Sequence, residues 1–211
     1  NTHLSELDMR QVGAEADFFR AVATKDLTLL RRLIAAKKDV NIRGERNRTP
    51  LHMCVWDNYV DGARVLLEAG ADINVYDDLH DTPFLLAGAE GRVEIMKYML
   101  KYAKPDLTLC NRYGGSALIP ACERGHVEMV NLLIKAGVNV DHVNDFGWTG
   151  LLEVLELGGD DLDHVEITKA LIAAGVDVNL ADREGRTPLY LAKKHNLKRI
   201  TKLLEEAGGR V

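Results

Sequence analysis

Aromatic residues are scarce in this chain: two Trp, six Tyr and four Phe amount to 6% of its 211 residues. A core built on large rings is excluded, so its elements must pack through small and aliphatic side chains. Three cysteines, Cys54, Cys110 and Cys122, are too few for a disulfide scaffold and lack metal-site spacing. They suit a reducing compartment, and a cytoplasmic location is expected. The chain does not begin with Met, which keeps export after removal of a signal peptide as the alternative. Uncharged runs fall short of the roughly 18 apolar residues needed to cross a bilayer, so no membrane partner is expected. The formal net charge of -5 and pI near 5.8 supply no overall attraction for nucleic acid. No glycine run follows a strand, Ser116 lacks the context of a nucleophile elbow, and no Cys or His cluster has ligand spacing. Catalysis, a cofactor and a metal are therefore not expected.

What is present is a period. Thr49-Pro50-Leu51-His52 has counterparts beginning at Thr82, Ser116, Thr149 and Thr187, at intervals of 33, 34, 33 and 38 residues. A period in the low thirties reads as stacked helical hairpins. Thr49 can accept a hydrogen bond from an orphan N–H, and Pro50 takes the first helical position, where a missing N–H costs nothing. Leu51, Cys54 and Val55 form an apolar face, and Asn58 can end the helix in the left-handed conformation. A second helix follows through Ala63, Leu66 and Leu67, with Gly70 as its cap. Each unit is thus a helix, a turn, a second helix and an extended loop.

This unit resembles the ankyrin repeat, whose motif reads Gly-x-Thr-Pro-Leu-His, then Gly-His, Leu-Leu and Gly-Ala-Asp-Val-Asn. Matches include Thr49, Pro50, Leu51, His52, Leu66, Leu67, Gly70, Ala71, Asp72 and Asn74, then Gly125-His126, and later Gly185-Arg186-Thr187-Pro188-Leu189. A degenerate first copy carries Leu33-Ile34 and Asp39-Val40-Asn41. The stretch from Asn111 to His126 is similar to small stand-alone bacterial ankyrin proteins. The resemblance implies an all-α solenoid of six helix-turn-helix repeats joined by β-hairpin-like finger loops. The repeats fall at about 13–45, 46–78, 79–112, 113–145, 146–183 and 184–211. Residues 1–12 form an N-terminal extension; Leu4, Leu7 and Val12, with Ser5 and Asp8 at capping-box spacing, suggest a short helical lid over the repeat domain 13–211. The last copy alternates charge over Lys198, Arg199, Lys202, Glu205 and Glu206, as a soluble cap does. An array closed at both ends is expected to be a monomer.

For function, the resemblance implies a non-catalytic module that binds an unidentified protein in a concave groove lined by finger loops and first helices. Its contact positions fall on Arg46, Arg48, Trp56, Tyr59, Asp78, Asp81, Glu90, Arg112, Tyr113, Glu123, Arg124, Phe146, Trp148, Glu156 and Arg186. Tyr113, Phe146 and Trp148 put three of the few aromatics on adjacent fingers, and Tyr, Trp and Arg dominate interface energetics. Peptide or small-molecule sensing by these aromatic fingers is the alternative. One finger is basic, through Arg43, Arg46 and Arg48, and the next acidic, through Asp77, Asp78 and Asp81, a dipole that would orient a partner. The longest interval carries its excess between Leu157 and His164. Asp160, Asp161, Asp163 and His164 invite a metal there, but lack the order of a calcium loop, and capping of the following helix is the simpler use.

Overall fold

The computed structural model describes the backbone of residues 6–211, and side chains from residue 16 onward. The capping box expected at Ser5 and the apolar stripe of Leu4, Leu7 and Val12 lie outside the described residues. The described chain holds twelve α-helices and no strand: α1 (Glu6–Ala23), α2 (Leu27–Ala35), α3 (Pro50–Asp57), α4 (Val60–Glu68), α5 (Pro83–Glu90), α6 (Val93–Tyr102), α7 (Leu118–Glu123), α8 (Val127–Lys135), α9 (Gly150–Glu156), α10 (Leu162–Ala173), α11 (Pro188–Lys194) and α12 (Lys198–Glu206). The described residues divide into two compact units, one of those up to Ala87 with 94–106, the other of residues 88–93 and 107–211.

Within the first unit, α1 pairs with α2 and α3 with α4; α1 then packs on α3, and α2 on α4. Phe18, Leu30, Leu51, Cys54 and Leu66 fill this core with almost no exposure. In the second unit the hairpins are α7 with α8, α9 with α10 and α11 with α12. First helices pack in the row α7, α9, α11, and second helices in the row α8, α10, α12. Leu118, Met129, Leu133, Leu152 and Ile167 are its buried centre.

The threonines of the period start the first helices. The Oγ1 of Thr49, Thr82, Thr149 and Thr187 accepts the N–H three residues on, at 3.0–3.3 Å. At Thr49 the cap is reciprocal. His52 Nδ1 accepts the Thr49 N–H at 3.1 Å, which leaves Nε2 protonated and donating to the Asp81 carbonyl at 2.9 Å. That neutral tautomer agrees with a pKa lowered chiefly by burial. Pro120 sits in the first turn of α7, where the helix requires no N–H from it.

A second regularity ties one loop to the next. In Asp39-Val40-Asn41 the Asp39 carboxylate accepts the Asn41 N–H at 2.9 Å, and Asn41 Oδ1 accepts the Asp72 N–H at 2.8 Å. Asn74 does the same for Asp106, Asp141 for Asp177 and Asn179 for Arg210, all at 2.8–2.9 Å. Each loop thereby gives a backbone donor of the next loop a fixed partner, at sites that are mostly exposed.

The excess residues before α10 are spent on helix ends. Asp161 caps α10 by accepting the His164 N–H at 3.1 Å. Asp160 reaches across to α12, where its two oxygens accept the Arg199 and Ile200 N–H groups at 3.0 Å each. His164 Nε2 meets the Glu123 carbonyl at 2.8 Å. Two of the carboxylates that suggested a metal are thus engaged by backbone donors, and no group of three ligand-type side chains among the described residues could hold an ion. An N-cap carboxylate contributes about 1 kcal/mol. Asp160→Ala is expected to lower the free energy of urea unfolding by about that amount; no change would show that the α12 donors are equally well served by water.

Candidate functional site

Four of the loops ahead of the first helices are closed by one side chain each. Asp77 Oδ1 accepts the N–H groups of Leu79 and Asp81, both at 2.9 Å, while its own N–H donates to the Asp81 carbonyl at 2.9 Å. Asn111 holds Tyr113 and Gly115 at 2.9 and 3.0 Å, Asn144 holds Phe146 and Trp148 at 3.0 Å, and Asp182 holds Glu184 and Arg186 at 3.0 and 2.9 Å. Such side-chain-closed turns replace a flexible loop with a set backbone. Gly44 occupies the corresponding place in the first loop. A β-carbon there would lie 2.6 Å from the Phe19 ring, so packing excludes the side chain that closes the others. Neighbouring loops are joined as well: the Asp145 N–H donates to the Tyr113 carbonyl, and the Asp78 N–H to the Arg46 carbonyl, each at 2.9 Å.

In the second unit this brings the aromatic trio together. Tyr113 and Phe146 have ring centroids 5.9 Å apart and Phe146 and Trp148 6.2 Å, both tilted. Tyr113 is 47% and Phe146 56% exposed, while Trp148 is half-buried. Arg112 stacks its guanidinium 4.8 Å from the Tyr113 centroid. The trio borders a cavity of about 300 Å³ whose other walls include Ile119, Pro120, Glu123, Glu153 and Leu157. Glu153 is 5% exposed. Its Oε1 accepts from Asn144 Nδ2 at 3.0 Å, and its buried Oε2 has no hydrogen-bond partner. Burial, then the charge of Glu123, push its pKa up to about 7 against the partial opposition of Asn144.

Glu153 was not among the expected contact residues, yet the repeat alignment carries a signal for it. Four residues after each capping Thr or Ser stand Met53, Leu86, Pro120, Glu153 and Leu191. A carboxylate in a column of uncharged residues marks a side chain kept for something other than packing.

Glu123, Tyr113, Phe146 and Trp148 therefore meet in one place, with Arg112 beside them. Arg124 lies on the same unit and pairs with Glu90 at 3.1 Å. Glu156 is engaged by Arg186 at 3.4 Å and His195 at 3.2 Å, and Arg186 also holds Asp182 at 2.6 Å. In the first unit Trp56 is 49% exposed, with Arg48 stacked 5.5 Å from its centroid. Arg46 and Asp78 are exposed, and Asp81 is half-buried. The expected charge dipole is smaller than the sequence suggests. Arg48 Nε donates to the buried Asp77 at 3.2 Å, which cancels one charge of each sign, whereas Arg43 keeps its charge while donating to the Asn47 and Tyr76 carbonyls at 2.7 Å. Tyr59 differs from expectation most. It is 8% exposed, its ring lies where a β-carbon on Gly62 would come within 2.4 Å, and its hydroxyl is buried without a partner. It is a packing residue, because the turn between α3 and α4 folds it inward.

Paired helices whose connecting loops are closed by Asp or Asn define a helical-hairpin repeat protein. The family model for ankyrin repeats matches residues 21–87 and, in a three-copy form, residues 76–144. The chain is similar to the ankyrin repeat protein YahD of Escherichia coli (strain K12), at 33% identity over 92% of this chain and 96% of that protein. An ankyrin repeat domain from Acinetobacter baumannii superposes with a TM-score of 0.88 at 44% identity, covering 92% of this chain and 98% of that one. The ankyrin repeat protein EF0377 gives 0.88 at 37% identity, covering 91% and 98%. The chain belongs to the ankyrin-repeat family, with relatives of the small bacterial type. Ankyrin repeats are in general protein–protein interaction modules and non-catalytic scaffolds. Among the described residues no helix is long and apolar enough to cross a membrane.

Two substitutions test these assignments. Tyr59→Phe removes an unsatisfied buried hydroxyl and is expected to leave the melting temperature unchanged or raised; a drop of several degrees would mean that the hydroxyl is bonded. Because the Glu153 pKa is raised from 4.5 to about 7, its contribution to stability is complete below about pH 4.5 and declines as pH rises through 7. Glu153→Gln should therefore be more stable than the wild type above pH 7, with the difference shrinking on acidification. An equal pH dependence of unfolding in both proteins would contradict this.

Proposed function

We propose that this protein is a non-catalytic module that binds another protein through its interhelix loops and first helices, with the Tyr113–Phe146–Trp148 loop pair as the principal contact. The single observation supporting this is the pair of rings, 47% and 56% exposed, held on side-chain-closed loops in a chain with few aromatics. Large apolar side chains on a rigid backbone lose little entropy on docking and are the usual centre of interface energetics. Arg46, Asp78, Trp56, Arg112, Glu123 and Arg124 supply the flanking contacts in this reading. Glu90, Glu156 and Arg186, already paired, hold neighbouring side chains in place. The six-repeat division with an N-terminal extension over residues 1–12, the monomeric state and the cytoplasmic location belong to the same reading. The three cysteines, Cys54, Cys110 and Cys122, form no disulfide, which accords with that compartment.

The cavity beside the trio favours one variation, in which a peptide side chain or a small molecule is the ligand. The two readings separate in hydrogen exchange: a protein partner should protect several loops at once, a small ligand one pair. For the protein reading, affinity capture with the wild type identifies the partner, and titration calorimetry with variants ranks the contacts. Phe146→Ala and Tyr113→Ala are each expected to weaken binding by about 2 kcal/mol, roughly thirtyfold, with stability changed by less than about 0.5 kcal/mol. Unchanged affinity in both would remove this loop pair from the interface.

A further inference from the structure

The cavity in the second unit combines three features that no packing requirement explains together. Its walls are flat and apolar, with Tyr113, Phe146 and Trp148 on the loops and Ile119, Pro120 and Leu157 on the helices. It is bordered by two carboxylates, Glu123 of α7 and Glu153 of α9. One oxygen of the more deeply buried carboxylate, Glu153 Oε2, has no donor, whereas its other oxygen is held by Asn144 at 3.0 Å. A buried acceptor left unpaired is costly, and a donor arriving from outside would relieve that cost.

We propose that this cavity receives the guanidinium group of an arginine side chain presented by the protein partner. The assignment rests on the partner-contact reading of the loop pair and gives that contact a chemistry. A guanidinium is planar, so it can lie against aromatic faces, and its fork of N–H groups can serve Glu153 and Glu123 together. A quaternary ammonium has no N–H for Oε2. A lysine ammonium is a strongly hydrated point charge that gains little from the flat walls. A neutral urea has the shape without the charge, and leaves the paired acidic groups uncompensated.

Proton linkage follows from the same groups. Facing Glu153 are the Glu123 carboxylate, the Asn144 amide and the Cys122 thiol, whose own ionisation burial suppresses. A cation favours the ionised form of Glu153, so binding is tighter above pH 7 than below it, approaching tenfold per pH unit on the acid side.

The test uses the purified whole protein and N-acetyl-arginine methylamide, followed by amide and indole NMR shifts. The expected result is a saturable shift confined to residues 111–123 and 144–157, with a Kd of about 1 mM. The citrulline analogue should bind at least tenfold more weakly, the lysine analogue more weakly than arginine, and Glu153→Gln should lose at least tenfold while remaining folded. Arginine binding should also weaken between pH 8 and pH 6. Equal shifts from citrulline, no saturable shift, or unchanged binding to Glu153→Gln would overturn the proposal. If the arginine compound fails while Phe146→Ala and Tyr113→Ala still weaken the captured partner, guanidinium capture is wrong and the partner surface stands. If it binds while those substitutions leave the partner unaffected, the assignment of the arginine to a protein partner falls.

Discussion

A loop that must present side chains to another molecule cannot also be floppy, and in four loops of this protein a single side-chain oxygen prevents it. Asp77, Asn111, Asn144 and Asp182 each accept two backbone N–H groups at 2.9–3.0 Å from within their own turn. Asp77, Asn144 and Asp182 are themselves less than a tenth exposed, so water offers little competition for those bonds. The aromatic positions follow: Tyr113 and Phe146 stand two residues after the closing asparagine, Trp148 four, and the bond from Asp145 to the Tyr113 carbonyl sets the spacing between the loops. Without the closing oxygens the same rings would sample many positions, and much of their contact energy would go into ordering the loop.

The closing side chain also has a free second atom, and the chain uses it differently in each loop. Asp77 offers an oxygen to Arg48, which then stacks on Trp56; Asp182 offers one to Arg186, which continues to Glu156. Asn144 has a donor instead, and directs it to Glu153. The amide in place of a carboxylate decides the character of that site. An aspartate at 144 would place a second negative charge against a buried glutamate, while the asparagine supports one oxygen and leaves the other without a partner. Structural capping and the chemistry of the cavity are therefore carried by the same residue.

Helix ends show a parallel economy. Asp160 and Asp161 lie in the longest interval of the period, and their oxygens meet the N-termini of α12 and α10. Carboxylates near helix N-termini gain from both the orphan donors and the dipole. Extra length inserted between two helices is thus tied down at two points instead of left as a free loop.

Local rules made much of this readable beforehand. The period, the threonine caps, Asn58 in its left-handed conformation with φ of 53° and the left-handed glycines after the second helices all depend on residues a few positions apart. They follow from backbone geometry that any reader of Thr-Pro-Leu or Gly-Ala-Asp can apply. Tertiary packing decided the rest, since exposure and pairing depend on what lies opposite. Tyr59 and Trp56 stand three residues apart, yet one is 8% exposed and the other 49%, because only Tyr59 turns in over Gly62. Arg48 and Asp77 are 29 positions apart, and their pairing removed charge from a surface where the sequence placed it. Glu153 could be marked as an odd residue in its column, but its unpaired oxygen, its pKa near 7 and the cavity beside it exist only where α7, α9 and two loops converge. A sequence specifies each turn through nearby atoms; which polar group ends up buried without a partner is set by neighbours far along the chain.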